Sequence, residues 1–140
     1  MAGPEGAFTV ELNDKAEYQR LLEGKPQTLG MRSGRVHLGP GQACGQHSTK
    51  NHEEMLVFLT GQGELQIGGD GRLSVGVGKV AYIPPETLHD VRNTGPEPLT
   101  YIYCVAPREI ASGARSSYQL LAAIRRLGHF RHPRLLFSDL

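Results

Sequence analysis

The sequence contains no tryptophan and only two cysteines, and aromatic residues account for 6% of its 140 positions. Cys44 and Cys104 fall in separate predicted strands, a pattern that is neither a disulfide framework nor a paired set of zinc ligands. We interpret both as small buried or half-buried side chains. The fold is therefore expected to depend on an apolar core and not on covalent cross-links.

Neither sign of charge predominates. Fifteen basic residues face fourteen acidic ones, so no global field favours nucleic acid or an anionic membrane. No stretch approaches the roughly 20 apolar residues needed to cross a bilayer, and the first residues lack a basic segment followed by an apolar run. We expect a soluble, cytoplasmic protein that binds neither nucleic acid nor membranes.

Glycine and proline are abundant, with 18 and 9 residues, and they are dispersed as single turn signals. This distribution is typical of short strands joined by tight turns, and the length suits one domain. The glycine-rich sequence at 68–71 is the clearest hairpin turn. Eight strands are predicted, at 35–38, 42–48, 54–59, 63–67, 73–75, 79–83, 88–93 and 99–105. They fit an all-β fold, a small jelly-roll barrel.

The segments on either side of these strands have a different character. A possible first strand at 7–12 is followed by Asn13 or Asp14, either of which could cap a short helix that runs to Leu22. After Ser116 or Ser117, apolar residues at helical spacing predict an amphipathic helix. We therefore expect a single domain over 1–140, with the barrel at about 35–105 and a helical tail at about 115–140. The basic residues of this tail indicate a solvated helix face or, alternatively, a surface for an acidic partner or nucleic acid.

The predicted strand at 54–59 is apolar on both of its faces after its first residue. A strand on a barrel with one solvated face would alternate with polar residues, so a second layer is expected to cover its outer side. The strand at 99–105 repeats this pattern. We expect a homodimer built by sheet packing, with the N-terminal segment as the alternative cover.

Two segments carry polar residues at demanding intervals. Residues 78–93, GKVAYIPPETLHDVRN, read G-x5-P-x-E-x2-H-x3-N, and His47 begins HSTKNHEEMLVFLTG, in which Glu54 and then Gly61 follow at intervals of seven. Together these segments resemble the two motifs of the cupin superfamily, of the small cupin 2 type, over roughly residues 35–105. Thr49 stands where motif one usually has its second histidine, and Glu86 stands where motif two usually has glycine.

The resemblance implies that His47, Glu54 and His89 converge on one point inside the barrel. Two imidazoles and one carboxylate suit a divalent transition metal ion, such as Fe, Mn, Ni or Zn. Thr49 is a poor ligand and is expected to bond a water molecule. His52 is either an additional ligand or a turn histidine at the mouth of the pocket. The alternative is a vestigial site, in which the same groups bond one another or an organic ligand.

Neighbouring residues are predicted to have structural roles. Pro84 and Pro85 suit the turn between two strands, and the amide of Asn93 is expected to tie a turn. Cys44 precedes His47 by three positions, so the two side chains should point to opposite faces of one strand. This arrangement disfavours a thiolate–imidazole pair.

The resemblance implies dioxygenase, isomerase, decarboxylase or lyase chemistry on a small polar metabolite without choosing among them. A module that senses or stores a small ligand or metal, without catalysis, is the second hypothesis. The third is a metal-free scaffold, since a fold does not fix a function. The sequence assigns no catalytic residue and no organic cofactor.

Overall fold

In a computed structural model, which describes residues 3–4 and 6–109, nine β-strands form two antiparallel sheets. The strands are β1 (Tyr18–Glu23), β2 (Arg32–Leu38), β3 (His47–Ser48), β4 (His52–Thr60), β5 (Gln62–Ile67), β6 (Gly71–Gly76), β7 (Val80–Ile83), β8 (Leu88–Asn93) and β9 (Leu99–Pro107). One sheet has the order β1-β2-β9-β4-β7, and the other has the order β3-β8-β5-β6. The prediction of an all-β jelly roll is confirmed.

The core lies between the two sheets and is supplied by both. The buried apolar residues are Leu38, Leu56, Phe58, Leu65, Val75, Ile83, Val91, Leu99 and Tyr101. They occupy alternate positions along their strands, because successive side chains of a strand point to opposite faces. Burial of this apolar surface is the main favourable contribution to folding. It also fixes which side chains of each strand face the interior.

Strand β4 shows this alternation most clearly. Glu54, Leu56 and Phe58 are buried, whereas Met55 on the opposite face is 45% exposed. The sequence predicted that both faces would be covered. Among the described residues this outer face is covered only in part, since Val57 and Leu59 are half-buried and Met55 is exposed.

The N-terminal segment departs from its prediction. Residues 7–12 form no strand, and the expected helix from Asn13 or Asp14 to Leu22 is replaced by a turn and by strand β1. Strand β1 pairs antiparallel with β2, from Tyr18 opposite Val36 to Glu23 opposite Arg32. The free edge of β2 offers a row of backbone donors and acceptors, and this long-range pairing overrides the local helical preference.

The predicted strands from 54 onward are confirmed within a few residues at each end, and 88–93 matches β8 at both ends. The predicted hairpin at 68–71 joins β5 to β6, with Ile67 opposite Gly71. The strand predicted at 42–48 is shorter. Only His47–Ser48 forms a strand, and Ala43 makes an isolated bridge to Arg92. Gly41 and Gly45 have φ values of 78° and 106°, which interrupt an extended backbone.

The amphipathic helix predicted after Ser116 or Ser117 lies outside the described residues. In the part of the chain that the structure describes, no helix is long and apolar enough to cross a membrane.

Candidate metal centre

Strands β3 and β8 bring two histidines together. His47 and His89 are direct cross-strand partners, and their ring centroids lie 4.3 Å apart with the rings inclined at 61°. Side chains of directly opposed residues point to the same face of a sheet. Both imidazoles therefore reach the interior of the barrel, with His89 fully buried and His47 at the exposed end.

The third member of the cluster comes from the facing sheet. Glu54 on β4 is buried, and its Oε2 lies 3.0 Å from Nε2 of His89. One ligand atom from each of His47, Glu54 and His89 lies within 4.8 Å of the others. The structure thus brings together the three residues that the sequence selected.

Backbone carbonyls hold both imidazoles through the same ring nitrogen. Nδ1 of His47 lies 2.7 Å from the Gly45 carbonyl oxygen, and Nδ1 of His89 lies 3.0 Å from that of Thr87. A carbonyl only accepts, so each Nδ1 carries the proton and donates it. In the neutral ring the electron pair then lies on Nε2, which is the arrangement that metal-binding histidines use.

The electrostatics of His89 are unusual for a buried residue. Its Nε2 is 3.0 Å from the Glu54 carboxylate, but the geometry is not that of a hydrogen bond, and this nitrogen has no hydrogen-bond partner among the described residues. Burial by itself lowers the pKa of His89. The Glu54 carboxylate, the Thr87 carbonyl and Asp90 more than offset burial, so the pKa is raised above its ordinary value of 6.5.

A divalent ion fits this donor set. Two imidazole nitrogens and a carboxylate oxygen, each 2.0–2.2 Å from a tetrahedral ion, would lie roughly 3.4 Å from one another. The ligand atoms lie within 4.8 Å of one another, so side-chain shifts of about 1–1.5 Å would bring them to this separation. An ion at this point would satisfy His89 Nε2, whose isolation in the interior is otherwise costly. It would also neutralise the buried carboxylate of Glu54.

Asp90 contacts the cluster indirectly, through the backbone of Gly45, a role that the sequence did not reveal. Its Oδ1 accepts a hydrogen bond of 2.9 Å from the backbone N–H of Gly45, whose carbonyl orients His47. Asp90 is buried, with 8% of its surface exposed. The sequence feature that could have revealed its role is an acidic residue inside a strand, directly after His89.

Thr49 does not occupy a ligand position. It is 6% exposed, and its hydroxyl donates to the Pro84 carbonyl at 2.8 Å and accepts from the Thr87 N–H at 3.0 Å. The sequence predicted a bond to water at this hydroxyl. In the structure Thr49 fixes the turn whose Thr87 carbonyl orients His89, and this explains why a short hydroxyl side chain suits the position.

His52 lies near the cluster but is not a member of it. It begins β4, two residues before Glu54, so both side chains face the interior. His52 is half-buried and lines the same cavity. Of the two sequence alternatives, a ligand or a histidine at the mouth of the pocket, the geometry places it nearer the second.

The predicted structural role of Asn93 is confirmed. Its Nδ2 donates to the carbonyls of Leu38 and Glu97, and its Oδ1 accepts from the Gly95 N–H. This buried amide holds the turn between β8 and β9. Glu86, in the turn before β8, adopts the left-handed φ of 55°. Glycine favours this conformation, which accounts for the usual residue at this point of the motif.

A cavity of about 890 Å³ opens onto the cluster. Interior-facing residues of β1, β2, β4 and β9 line it together with His47 and His89. Its size is within the range of sites that hold small molecules. Because both imidazoles line the cavity, a ligand that enters it can reach them.

Cys44 differs from its prediction. It is exposed and lines the same cavity as His47, although the two were expected on opposite faces of one strand. The reason is that residues 42–46 do not form a regular strand, so alternation does not apply to them. Cys104 is half-buried as predicted, and burial together with Glu54 raises its pKa.

A two-sheet antiparallel barrel with a His–Glu–His cluster facing an interior cavity defines a jelly-roll protein with a candidate metal centre. Residues 34–105 match the cupin domain family, just over half of the chain. The protein therefore belongs to the cupin domain family. No curated protein matches the chain.

Solved structures share this fold at low sequence identity. A cupin protein from Bacteroides fragilis has a TM-score of 0.64 and 19% identity, over 77% of this chain and 90% of that one. A cupin 2 conserved barrel domain protein from Salinispora arenicola gives 0.58 and 22%, over 86% and 99%. A predicted oxalate decarboxylase from Thermotoga maritima gives 0.59 and 23%, over 64% and 78%. At these identities the likeness concerns the fold.

Proposed function

We propose that this protein is a metal-binding cupin that holds one divalent transition metal ion through His47, Glu54 and His89. The observation that carries the proposal is the buried Nε2 of His89, which has no hydrogen-bond partner among the described residues and lies 3.0 Å from the Glu54 carboxylate. Two lone-pair atoms this close repel each other unless a cation or a proton lies between them.

The ligand atoms of the cluster limit which metal ions it can bind. Imidazole nitrogen and carboxylate oxygen suit Fe(II), Mn(II), Ni(II) or Zn(II), whereas an all-oxygen site would suit calcium or magnesium. Because the Thr49 hydroxyl is hydrogen-bonded to backbone groups, the part of the chain that the structure describes supplies three protein ligands. Such a set leaves positions for a small molecule to bind the ion directly.

The ligand we propose is a small polar metabolite that enters the cavity and meets the ion. When bound, the metal would act as a Lewis acid towards an oxygen of this molecule. The chain's own contribution is to hold the two imidazoles in their Nδ1–H form and to shield the site between the sheets. The fold that it shares with a predicted oxalate decarboxylase supports a decarboxylase or related activity as one outcome of this arrangement.

We further propose that two copies associate through the outer face of the β4–β7 edge. Met55 and Tyr82 are cross-strand partners there and are 45% and 59% exposed, and Val80 on the edge strand is 63% exposed. Apolar side chains clustered at a sheet edge favour association with another chain. This contact would supply the second layer that the apolar outer face of β4 predicts.

The metal proposal is tested by chelator competition for Zn(II) with purified wild type and single-histidine variants. His47→Ala removes a proposed ligand and should weaken zinc binding by about 100-fold or more. His37→Ala is the matched control, because this histidine lines the same cavity but is not part of the cluster. Equal affinity for the two variants would reject the ligand set.

A further inference from the structure

Two arginines of the first two strands line the cavity that opens onto the cluster. They are Arg20 on β1 and Arg32 on β2. Arg32 is opposite Val105 of β9, which is in turn opposite Glu54 of β4. With neighbouring strands about 4.8 Å apart, the backbones of Arg32 and Glu54 lie roughly 10 Å apart along one row of the sheet.

Neither arginine is neutralised within the described part of the chain. The ion pairs found among residues 3–4 and 6–109 involve Arg72, His89 and Arg108, and none places a carboxylate within 4.0 Å of Arg20 or Arg32. The aliphatic part of Arg32 also packs closely against Gly24, where a Cβ atom would lie only 3.0 Å from the Arg32 Cγ. The donors of both guanidinium groups are thus free to bind a ligand.

A pair of tyrosines completes this side of the cavity. The hydroxyls of Tyr18 and Tyr103 are 2.7 Å apart, and both residues line the cavity. Tyr103 reaches across β2 because residue 34 is glycine: a Cβ there would lie 2.6 Å from the ring. One hydroxyl hydrogen is used between the two tyrosines, and the other remains available to a ligand oxygen.

The protonation of Tyr103 favours this donor role. Burial and the Tyr18 hydroxyl raise its pKa, while the charges of Arg20 and Arg32 act in the opposite direction without reversing the shift. The hydroxyl therefore stays protonated at neutral pH. Tyr103, Arg20 and Arg32 all line the same cavity.

The charged groups around the cavity favour an anion. Among the described residues its lining includes three permanent cations, Arg20, Arg32 and Lys50, and two carboxylates, Glu17 and Glu54. This gives an excess of one positive charge, and a divalent ion at the cluster would add two more. A concave site with one sign of charge concentrates ligands of the other sign.

We infer that the cavity selects a small organic anion, whose carboxylate or phosphate group is bound by Arg20, Arg32 and the Tyr18–Tyr103 hydroxyl pair. The inference rests on the proposed function in one respect: an oxygen at the other end of the molecule meets the metal held by His47, Glu54 and His89. Arginine suits this role because its planar donors match the oxygens of a carboxylate or a phosphate.

The test is isothermal titration calorimetry of the full-length protein, with one equivalent of Zn(II) and after chelator treatment. The probes are succinate, its uncharged analogue succinamide, and glycerol 3-phosphate. The variants are Arg20→Gln, Arg32→Gln and the double substitution, which keep the first two side-chain carbons. Arg92→Gln is the matched control, since Arg92 is an exposed strand arginine outside the cavity.

We expect wild type to bind one anion at least 10-fold more tightly than succinamide, with succinate or glycerol 3-phosphate preferred according to the group recognised. Each single arginine variant should weaken that anion several-fold, and the double variant by 10-fold or more. Zinc affinity and the melting temperature should stay at their wild-type values, and Arg92→Gln should bind as wild type does.

The inference is overturned if succinamide binds as well as the anions, if neither anion binds, or if the arginine variants leave anion affinity unchanged. Failure of the proposed function gives a different result, in which wild type does not bind zinc. Arginine-dependent anion binding to the chelator-treated protein would still support the anion subsite in that case.

Discussion

The Thr49 hydroxyl accepts a hydrogen bond of 3.0 Å from the Thr87 N–H, and the Thr87 carbonyl accepts one of 3.0 Å from Nδ1 of His89. Thr49 stands where the motif usually has a histidine. Although it is not a metal ligand, it therefore still acts on the candidate metal centre. It does so through the backbone of the turn that carries Thr87. Residue 49 is thus a positioning residue for His89.

Replacing Thr49 with valine tests this relationship. Valine keeps the shape but leaves the Thr87 N–H and the Pro84 carbonyl without their partner, so we expect a loss of about 1–3 kcal/mol in the free energy of unfolding. Zinc affinity should fall by about 10-fold, because His89 loses its orientation. Urea denaturation and chelator competition measure the two effects. Thr49→Ser keeps the hydroxyl and should retain zinc affinity; equal losses for serine and valine would contradict the positioning role.

The left-handed turn before β8 offers a stability prediction. Glu86 has a φ of 55°, which is strained for a residue with a side chain. Glu86→Gly should increase the free energy of unfolding by about 0.5–1 kcal/mol, after the entropy of glycine in the unfolded chain is subtracted. The lost ion pair with Arg108 is exposed, with side chains 65% and 49% accessible, and contributes little.

Glu86→Ala is the matched control for this turn. Alanine also removes the ion pair but keeps the strained backbone, so its stability should not exceed that of wild type. Thermal denaturation of the three proteins gives the comparison. A glycine variant no more stable than the alanine variant would show that the turn is not strained.

The proposed homodimer is tested at the outer face of β4 and β7. Met55→Glu and Tyr82→Glu place charges on cross-strand partners of the exposed apolar face, and the double variant should sediment as a monomer where wild type sediments as a dimer. Leu73→Glu is the control, because Leu73 is equally exposed, at 52%, on the other sheet. A monomeric wild type, or dissociation caused by Leu73→Glu alone, would refute this interface.

The pKa of His89 gives a pH dependence for the metal-free protein. Burial lowers this pKa, but Glu54 and the Thr87 carbonyl raise it overall, so protonated His89 stabilises the folded state. This stabilisation is fully present below about pH 6.5 and is lost as pH rises through the raised value of the folded protein. Stability in chelator should therefore decrease as the pH rises above about 6.5, the ordinary pKa of histidine.

Glu54→Gln separates this effect from other titrations. The variant lacks the charge that raises the His89 pKa, so its stability should change less over the same pH interval. Urea denaturation at several pH values measures both slopes. Parallel curves for wild type and Glu54→Gln would exclude the pairing of His89 with Glu54 as the cause.

The sequence predicted the parts of the fold in which local pattern and tertiary contacts agree. Strand β8 was located at both ends, because the turn prolines before it and the turn predicted at Asn93 limit it on both sides. The convergence of His47, Glu54 and His89 was also anticipated, although only from the family resemblance. No spacing along a chain shows that residues 47 and 89 are cross-strand partners.

The errors have a physical origin in contacts that are distant along the chain. Strand β1 was predicted as a helix, since its pairing with β2 is invisible in its own sequence. The position of Arg20 beside the cavity therefore could not be predicted, nor the anion subsite to which we assign it. Similarly, the role of Thr49 depends on Pro84 and Thr87, more than thirty residues away.

The binding of one metal ion by His47, Glu54 and His89 is tested by elemental analysis of protein purified without an affinity tag. Wild type should contain about one equivalent of a transition metal per chain, and His89→Ala should contain almost none while keeping the circular dichroism spectrum of a folded β protein. Full metal content in His89→Ala, or a wild type that takes up no metal when it is supplied, would contradict the account.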